Sequence, residues 1–346
     1  MKTTTKPITN KQGRLLSLDF FRGLTMFLLV VEFTGLYEYL VDPEAPAWLQ
    51  VVGTQFHHHP WNGLRFWDLI QPFFMFIVGV AMPFSIGKRL ERGDLRTDVT
   101  KHVLRRSFLL IFLGWWLYCI GPEKIVFKFQ DVLAQIGVTY FIAYLLMDRP
   151  VKTQIIWSFL LIIASTLLYL YFPVEGFNQP YTPNKNFGSW FDLLYNGQDF
   201  EGYWTTFNAI PTSAHTIWGV LAGQLLKSNK TKVEKLKILV IIGIIGVVAG
   251  YASDPFIPII KRISTASFVI VSGGWAFLAL AFSLWLIDIK KWDKGVWIFA
   301  VVGMNPLFIY LFSHIGGANL TKDIVRPLTN SLSEWFGDKK KIFIKI

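Results

Sequence analysis

Charge is scarce in this chain and cysteine nearly absent. Asp, Glu, Lys and Arg together make up 16% of the 346 residues, and the single cysteine, Cys119, sits in an apolar run. One cysteine excludes an intrachain disulfide and any cysteine-rich metal site. Soluble domains carry about 25% charged residues, so the deficit argues against a water-facing surface over most of the length. No nucleic-acid motif, internal repeat, low-complexity tract or separate soluble domain can be marked off. A cleavable signal peptide is missing as well. The basic N-terminus leads into a segment interrupted by Asp19 and Arg22, without a short apolar core and a small-residue cleavage site.

What fills the chain is hydrophobic: 53% of residues, with a mean hydropathy of +0.42. Apolar stretches of about 18 residues or more can cross the ~30 Å hydrocarbon core of a bilayer. Such segments lie near 16–40, 66–87, 105–121, 131–148, 153–172, 208–226, 236–252, 267–288 and 296–315. The expected fold is therefore all-α, a polytopic transmembrane helix bundle of about nine spans with the N-terminus cytoplasmic. The net charge of +11 would suggest nucleic acid in a soluble protein, but here the basic residues cluster between apolar segments, as orientation signals do. With the N-terminus inside, the inner connections hold 21 Lys and Arg, seven of them between Lys88 and Arg106, against six in the outer connections up to residue 315. The chain reads as a single transmembrane domain over 1–346, in which 316–346 form a non-spanning C-terminal tail. That tail ends in Asp338-Lys339-Lys340-Lys341-Ile342-Phe343-Ile344-Lys345-Ile346, a basic run that sits poorly with the charge rule on the outer side. The outer connection 173–206 carries Glu175, Asp192, Asp199 and Glu201 among aromatic, Asn, Gly and Pro residues, and is long enough to fold over the outer mouth.

Ionisable groups inside a span cost from about 2.5 kcal/mol upward and mark sites or pathways by default. The first span holds Asp19 and Arg22, spaced to neutralise one another on one helix face, and Glu32, ten residues further towards the outer leaflet. An ion pair that pins helices together explains the first two as well as a functional role does. Next comes His57-His58-His59-Pro60-Trp61-Asn62-Gly63, then Asp68. Three consecutive histidines point in different directions, so a closed metal site would need ligands from elsewhere and no metal is expected. A single histidine used as a proton acceptor needs only one correct side chain, and its ordinary pKa near 6.5 suits that task at neutral pH. Asn305 interrupts the ninth span within Gly303-Met304-Asn305-Pro306; Pro306 removes a backbone donor there. A packing device and a polar cavity wall are both open readings.

These residues carry a resemblance. Arg14-Leu-Leu-Ser-Leu-Asp19-Phe-Phe-Arg22-Gly23, then His58-x-x-Trp61-Asn62-Gly63-x-x-x-x-Asp68-Leu-Ile-x-Pro72, resemble the opening of the heparan-α-glucosaminide N-acetyltransferase family and its bacterial relatives. The likeness continues through Gly79, Arg105-Arg106, Ala134-Gln135-Ile136 with Tyr140, Ile210-Pro211 with Gly219-x-x-x-Gly223, Thr265-x-Ser267-Phe268 and Gly303-Met304-Asn305-Pro306. It implies a membrane acyltransferase in which an acetyl group from cytoplasmic acetyl-CoA passes to an amino sugar or glycan on the far side. The family's catalytic histidine matches His58. Glu32 stands about where the family often has Asn, so it serves either as a second acid/base or as a sign of different chemistry. Ser264 stands where a Trp often precedes the Thr-x-Ser-Phe unit.

From the resemblance, His58 is the expected base or transient acetyl carrier, with Glu32, Asn305 and Asp68 as further catalytic candidates. Asp68 would either orient His58 or cap the second helix, and capping is the expectation. Asn305 or Asn62 would donate to the oxyanion. Trp61, Asn62, Asp19 and Arg22 are the substrate-binding candidates. Lys88, Arg89, Arg105 and Arg106 are those for the phosphates of acetyl-CoA, the co-substrate, because charge-assisted bonds to phosphate are strong; orientation signals alone would also explain them. Trp48, Trp61, Trp67, Trp190 and Trp204 either form the interfacial belt or stack on sugar. The expected partners are acetyl-CoA, an amino sugar or glycan acceptor and the lipid bilayer, with no nucleic acid and a homodimer left open. The expected location is the cell inner membrane, multi-pass. The rival reading from another class is a small-molecule or lipid-linked sugar transporter or flippase, which fits the spans but not the spacing from His58 to Asp68.

Overall fold

The computed structural model describes residues 15–43, 45–292, 295–317 and 319–320. Among these, every regular element is a helix. The helices are α1 (Leu16–Phe33), α2 (Leu36–Leu40), α3 (Ala47–Thr54), a 3-10 turn (Phe66–Leu69) running into α4 (Ile70–Glu91), α5 (Arg96–Ile120), α6 (Val132–Leu146), α7 (Val151–Leu170), α8 (Phe187–Leu193), α9 (Ala209–Lys227), α10 (Lys232–Ser253), α11 (Ala266–Ser283) with a π turn (Leu284–Ile289), α12 (Val296–Met304) and α13 (Pro306–Phe312).

All nine apolar segments of the sequence are helical. Five helices are long and apolar enough to cross a bilayer: Phe66–Glu91, Arg96–Ile120, Val151–Leu170, Lys232–Ser253 and Ala266–Ile289. A sixth crossing follows if α12 and α13, bent by 77° at Asn305, count as one broken span. The remaining three segments fall short for identifiable reasons. α1 is 18 residues long but carries three charged groups, Asp19, Arg22 and Glu32, and it ends before residue 40 because the chain turns at Thr34 and at Gly35, whose φ of 76° is the left-handed conformation that glycine tolerates. α6 has only 15 residues. α9 is rich in polar groups (Thr212, Ser213, His215, Thr216), and nearly all of it is buried, so it has little need of a lipid-compatible surface.

The chain divides into two compact units. The larger has Gln71–Trp292 as its body and includes Trp61–Leu64; the smaller takes Asp19–Pro60, Arg65–Ile70 and the described residues from 295 onward. In the larger unit, burial sorts helices into inner and outer. The apolar windows of α4 and α11 are 67% and 61% buried, while those of α5, α7 and α10 are 28%, 28% and 17%. The outer helices spend their aliphatic residues on the exterior, as Ile241, Ile242, Ile244, Ile245 and Val248 of α10 show. Such a surface is stable against lipid and not against water.

Close backbone approach sets the interior. A Cβ on Gly79 would strike the carbonyl of Thr216, and one on Gly219 that of Phe76, so α4 and α9 cross at glycine contacts. Met82, Ile86, Val103, Tyr140, Ile217 and Val220 close the core around that crossing. Some polar residues in the interior are paired: Trp218 Nε1 donates to Ser158 Oγ at 2.9 Å, and His215 Nε2 lies 2.9 Å from Ser272 Oγ. The segment 173–206 is packed and folded. Asp192 is fully buried and accepts from Gln130 Nε2 (2.9 Å), the Tyr195 hydroxyl (2.6 Å) and the Thr206 amide (3.0 Å). Burial raises its carboxyl above the ordinary range, and these donors pull the other way. Trp190, partly buried, packs on Phe172 with ring centroids 4.7 Å apart, against the aromatic cluster around Phe187.

Candidate functional site

The smaller unit gathers the histidine loop. The 3-10 turn starts after Arg65, and its third residue, Asp68, reaches back to accept the Arg65 amide at 2.9 Å. This is the capping role expected of it. The same fully buried carboxylate also receives the His59 amide at 3.2 Å and faces His58 Nδ1 at 2.9 Å. Asp68 therefore both caps the turn and orients His58; the expectation of capping alone was too narrow. A carboxylate on Nδ1 fixes the tautomer and directs the ring's chemistry to Nε2. The guanidinium of Arg65 donates to the His58 carbonyl at 3.0 Å, which anchors the loop from the other end. His58 keeps 35% of its side chain exposed while its partner has none.

The neighbouring imidazoles do different things. His57 directs Nδ1 to the Gly53 carbonyl at 3.0 Å and Nε2 towards Glu38 at 3.4 Å. Burial and the Arg65 cation lower the pKa of His59, with Asp68 opposing. The His57 and His58 rings turn to different partners.

Glu32 belongs to the same unit and is tied to the same turn. Trp67 Nε1 donates to Glu32 Oε1 at 2.8 Å. Trp67 is 2% exposed, with Tyr37 edge-on to it at 5.1 Å, so it is a buried clamp and no belt residue. Asp19 and Arg22 form the ion pair read from their spacing. Both flank a tight crossing of α1 with α12: a Cβ on Gly23 would strike the Phe299 carbonyl, and one on Gly303 would lie 2.6 Å from the Asp19 carbonyl. Asn305 is exposed and ends α12 with a non-helical backbone (φ −128°, ψ 52°), and Pro306 opens α13. A proline at the first helical position needs no amide partner, so the kink expected there is a full break.

The other candidates lie in the larger unit. Trp61 Nε1 donates to the Tyr181 carbonyl at 2.7 Å, and its ring meets Tyr203 edge-on at 5.9 Å; Asn62 is exposed. Gly63 has φ 143° and donates its amide to the Ile259 carbonyl at 2.8 Å, a conformation that accounts for glycine there. Arg106 lies over the Tyr140 ring at 4.7 Å, Arg89 pairs with Asp94 at 3.3 Å, and Lys88 and Arg105 are exposed. Beside Lys88 opens a cleft of about 360 Å³, lined by Pro83, Ile86, Leu90, Met147, Gln224 and Lys227.

Sequence reasoning read Trp67 only as belt or sugar platform, and missed Gln71, Gln224 and Lys227. Gln71 Nε2 donates to the buried Gln135 at 2.6 Å, which explains the amide in the Ala134-Gln135-Ile136 motif. Thr265 was quoted as motif only; its hydroxyl donates to the Pro258 carbonyl at 2.8 Å and accepts the Ile260 amide at 3.0 Å, stapling the entrance to α11.

The sequence is similar to known proteins. The family profile described as heparan-alpha-glucosaminide N-acetyltransferase, catalytic, matches residues 14–250. The human heparan-alpha-glucosaminide N-acetyltransferase is 27% identical over an alignment covering 96% of this chain and 60% of the human protein. The mouse protein of the same name is also 27% identical, with 86% of this chain and 53% of the mouse protein covered. The chain thus spans little more than half the length of these relatives. With the match running through the His58–Asp68 loop, the first helix and the Gly219 crossing, the chain belongs to the heparan-α-glucosaminide N-acetyltransferase catalytic family.

Proposed function

We propose that this chain is a membrane-embedded acetyltransferase that takes acetyl from cytoplasmic acetyl-CoA and delivers it to an amino sugar or glycan on the outer side. The observation that carries this reading is the 2.9 Å contact between His58 Nδ1 and the fully buried Asp68 carboxylate. A carboxylate-oriented imidazole is the arrangement a general base needs, and it is equally suited to a nucleophile that holds acetyl transiently. In the direct route, His58 Nε2 takes a proton from the attacking nitrogen as the C–N bond forms, and returns it to the departing thiolate. In the two-step route, the same nitrogen first accepts acetyl from the thioester. Asn62 and Asn305, both exposed, are the proposed donors to the oxyanion. Arg89, Arg105 and Arg106, with Lys88, are proposed for the donor's phosphates.

The accompanying topology is nine spans with the N-terminus cytoplasmic, in a cell inner membrane. The inside excess of Lys and Arg supports that orientation. The test is purified protein incubated with radiolabelled acetyl-CoA and a panel of amino sugars. Labelled N-acetyl product is expected. Absence of product together with no acetyl-CoA binding at millimolar concentration would contradict the proposal and leave the transporter reading.

A further inference from the structure

One 3-10 turn places two chemical groups at once. Its Asp68 holds the His58 imidazole, and the preceding residue, Trp67, holds the Glu32 carboxylate at 2.8 Å. Trp67 itself has little freedom. It is buried, met edge-on by Tyr37 at 5.1 Å and tilted against Phe56 at 6.3 Å. Tyr37 in turn stacks on Phe56 at 4.5 Å and donates its hydroxyl to the Leu28 carbonyl at 3.0 Å, back onto α1. A fixed indole N–H holds the carboxylate that receives it in one orientation. The ionisable groups on the surrounding elements include Tyr37 and Glu38 of α2, His57, His58, His59, Arg65 and Asp68 of the loop and turn, and His314 after α13, whose ring meets Phe33 at 4.9 Å.

We infer that Glu32 is the receptor for the acceptor's ammonium group and takes its first proton, with Trp67 as the positioning residue. The inference rests on the acetyltransferase reading above. An alkyl amine is an ammonium ion at neutral pH and has no lone pair to attack with. Two protons must leave its nitrogen: R–NH3+ and the thioester become the amide, the thiol of CoA and one free proton. A single imidazole carries one proton at a time. The ammonium first gives a proton to the Glu32 carboxylate, which frees the nitrogen lone pair. The C–N bond then forms, the second proton passes to His58 Nε2, and the C–S bond breaks with its electron pair going to sulfur. His58 protonates that thiolate, and Glu32 sheds its proton to water. With acetyl on His58 in place of the thioester, the first proton still goes to Glu32. A hydroxyl acceptor has only one proton to lose and needs no such partner, so the pair favours N- over O-acetylation.

The experiment compares two acceptors at neutral pH: an amino sugar, and the same sugar with an aminooxy group, whose nitrogen is already neutral. The quantity read is the ratio of kcat/KM values, amino over aminooxy. Glu32→Gln should lower this ratio by about 100-fold, the lower range of a general-base contribution. Trp67→Phe should lower it by about 10-fold with the carboxylate still present, the worth of one hydrogen bond to a charged group. An unchanged ratio in both variants overturns the inference, whatever happens to the absolute rates. If Glu32→Gln transfers to neither acceptor, the Trp67→Phe ratio decides. A wild-type protein that acetylates neither acceptor defeats the acetyltransferase reading itself, whereas transfer to both with unaltered ratios defeats only the role of Glu32.

Discussion

Asp68 has more partners than its size suggests: the Arg65 and His59 amides and the His58 ring all converge on its two oxygens. Asparagine at this position keeps the shape but offers one acceptor where a carboxylate offers two, and turns an N–H towards a donor. Asp68→Asn should therefore lower kcat for acetyl transfer by roughly 100-fold or more through a misoriented imidazole. The affinity for acetyl-CoA, measured by equilibrium binding, should stay near wild type. The unit from His58 through Trp61 and Asn62 to Asp68 was legible in the sequence as a family resemblance, because its spacing is a pattern. The Trp67–Glu32 contact was not, because it joins positions 35 residues apart and an indole signals nothing about its partner until the chain is folded.

Helices carry a second layer of explanation, in which small residues serve backbone approach. Gly219 packs against the Phe76 carbonyl, whereas a Cβ at Gly121 would meet nothing within 4 Å. Gly219→Val should cost about 3 kcal/mol of stability, and Gly121→Val far less; thermal unfolding in detergent would compare them. The outer segment has its own keystone in the buried Asp192. Asp192→Ala leaves the Thr206 amide and the Gln130 side chain without this acceptor, at a cost of about 2 kcal/mol. The expected result is faster proteolytic cleavage within 173–206, with the spans intact. Apolar runs predicted every one of the nine helical segments. Their ends were less legible where a single residue decides: Gly35 closes α1 early, and Asn305 with Pro306 turns an expected kink into a 77° break.

For the molecule as a whole, hydropathy and charge have to agree on which face is which. Five helices pass the test of length and composition unaided, and the short α6, the buried polar α9, the charged α1 and the broken α12–α13 pair are what separate that number from nine. A polar helix shielded by its neighbours is invisible to a test of apolar length, which is why α9 was legible as a segment and fails as a free-standing span. The basic terminal run Lys339-Lys340-Lys341 lies outside the described residues, as do Lys2, Lys6, Lys11 and Arg14. Orientation can be checked from the connections. With Cys119 replaced by Ala, a cysteine at Lys230 should react with an impermeant thiol reagent only from the cytoplasmic side, and one at Asn184 only from outside. The opposite pattern would invert the proposed direction of transfer.

The whole account turns on which of three adjacent imidazoles does the chemistry. The direct measurement is the rate of labelled acetyl transfer by His57→Ala, His58→Ala and His59→Ala proteins, purified and assayed side by side. Loss of transfer in His58→Ala, by about 1,000-fold or more, with His59→Ala retaining most of the wild-type rate, is the predicted result. A His58→Ala protein that still transfers acetyl at the wild-type rate would contradict it.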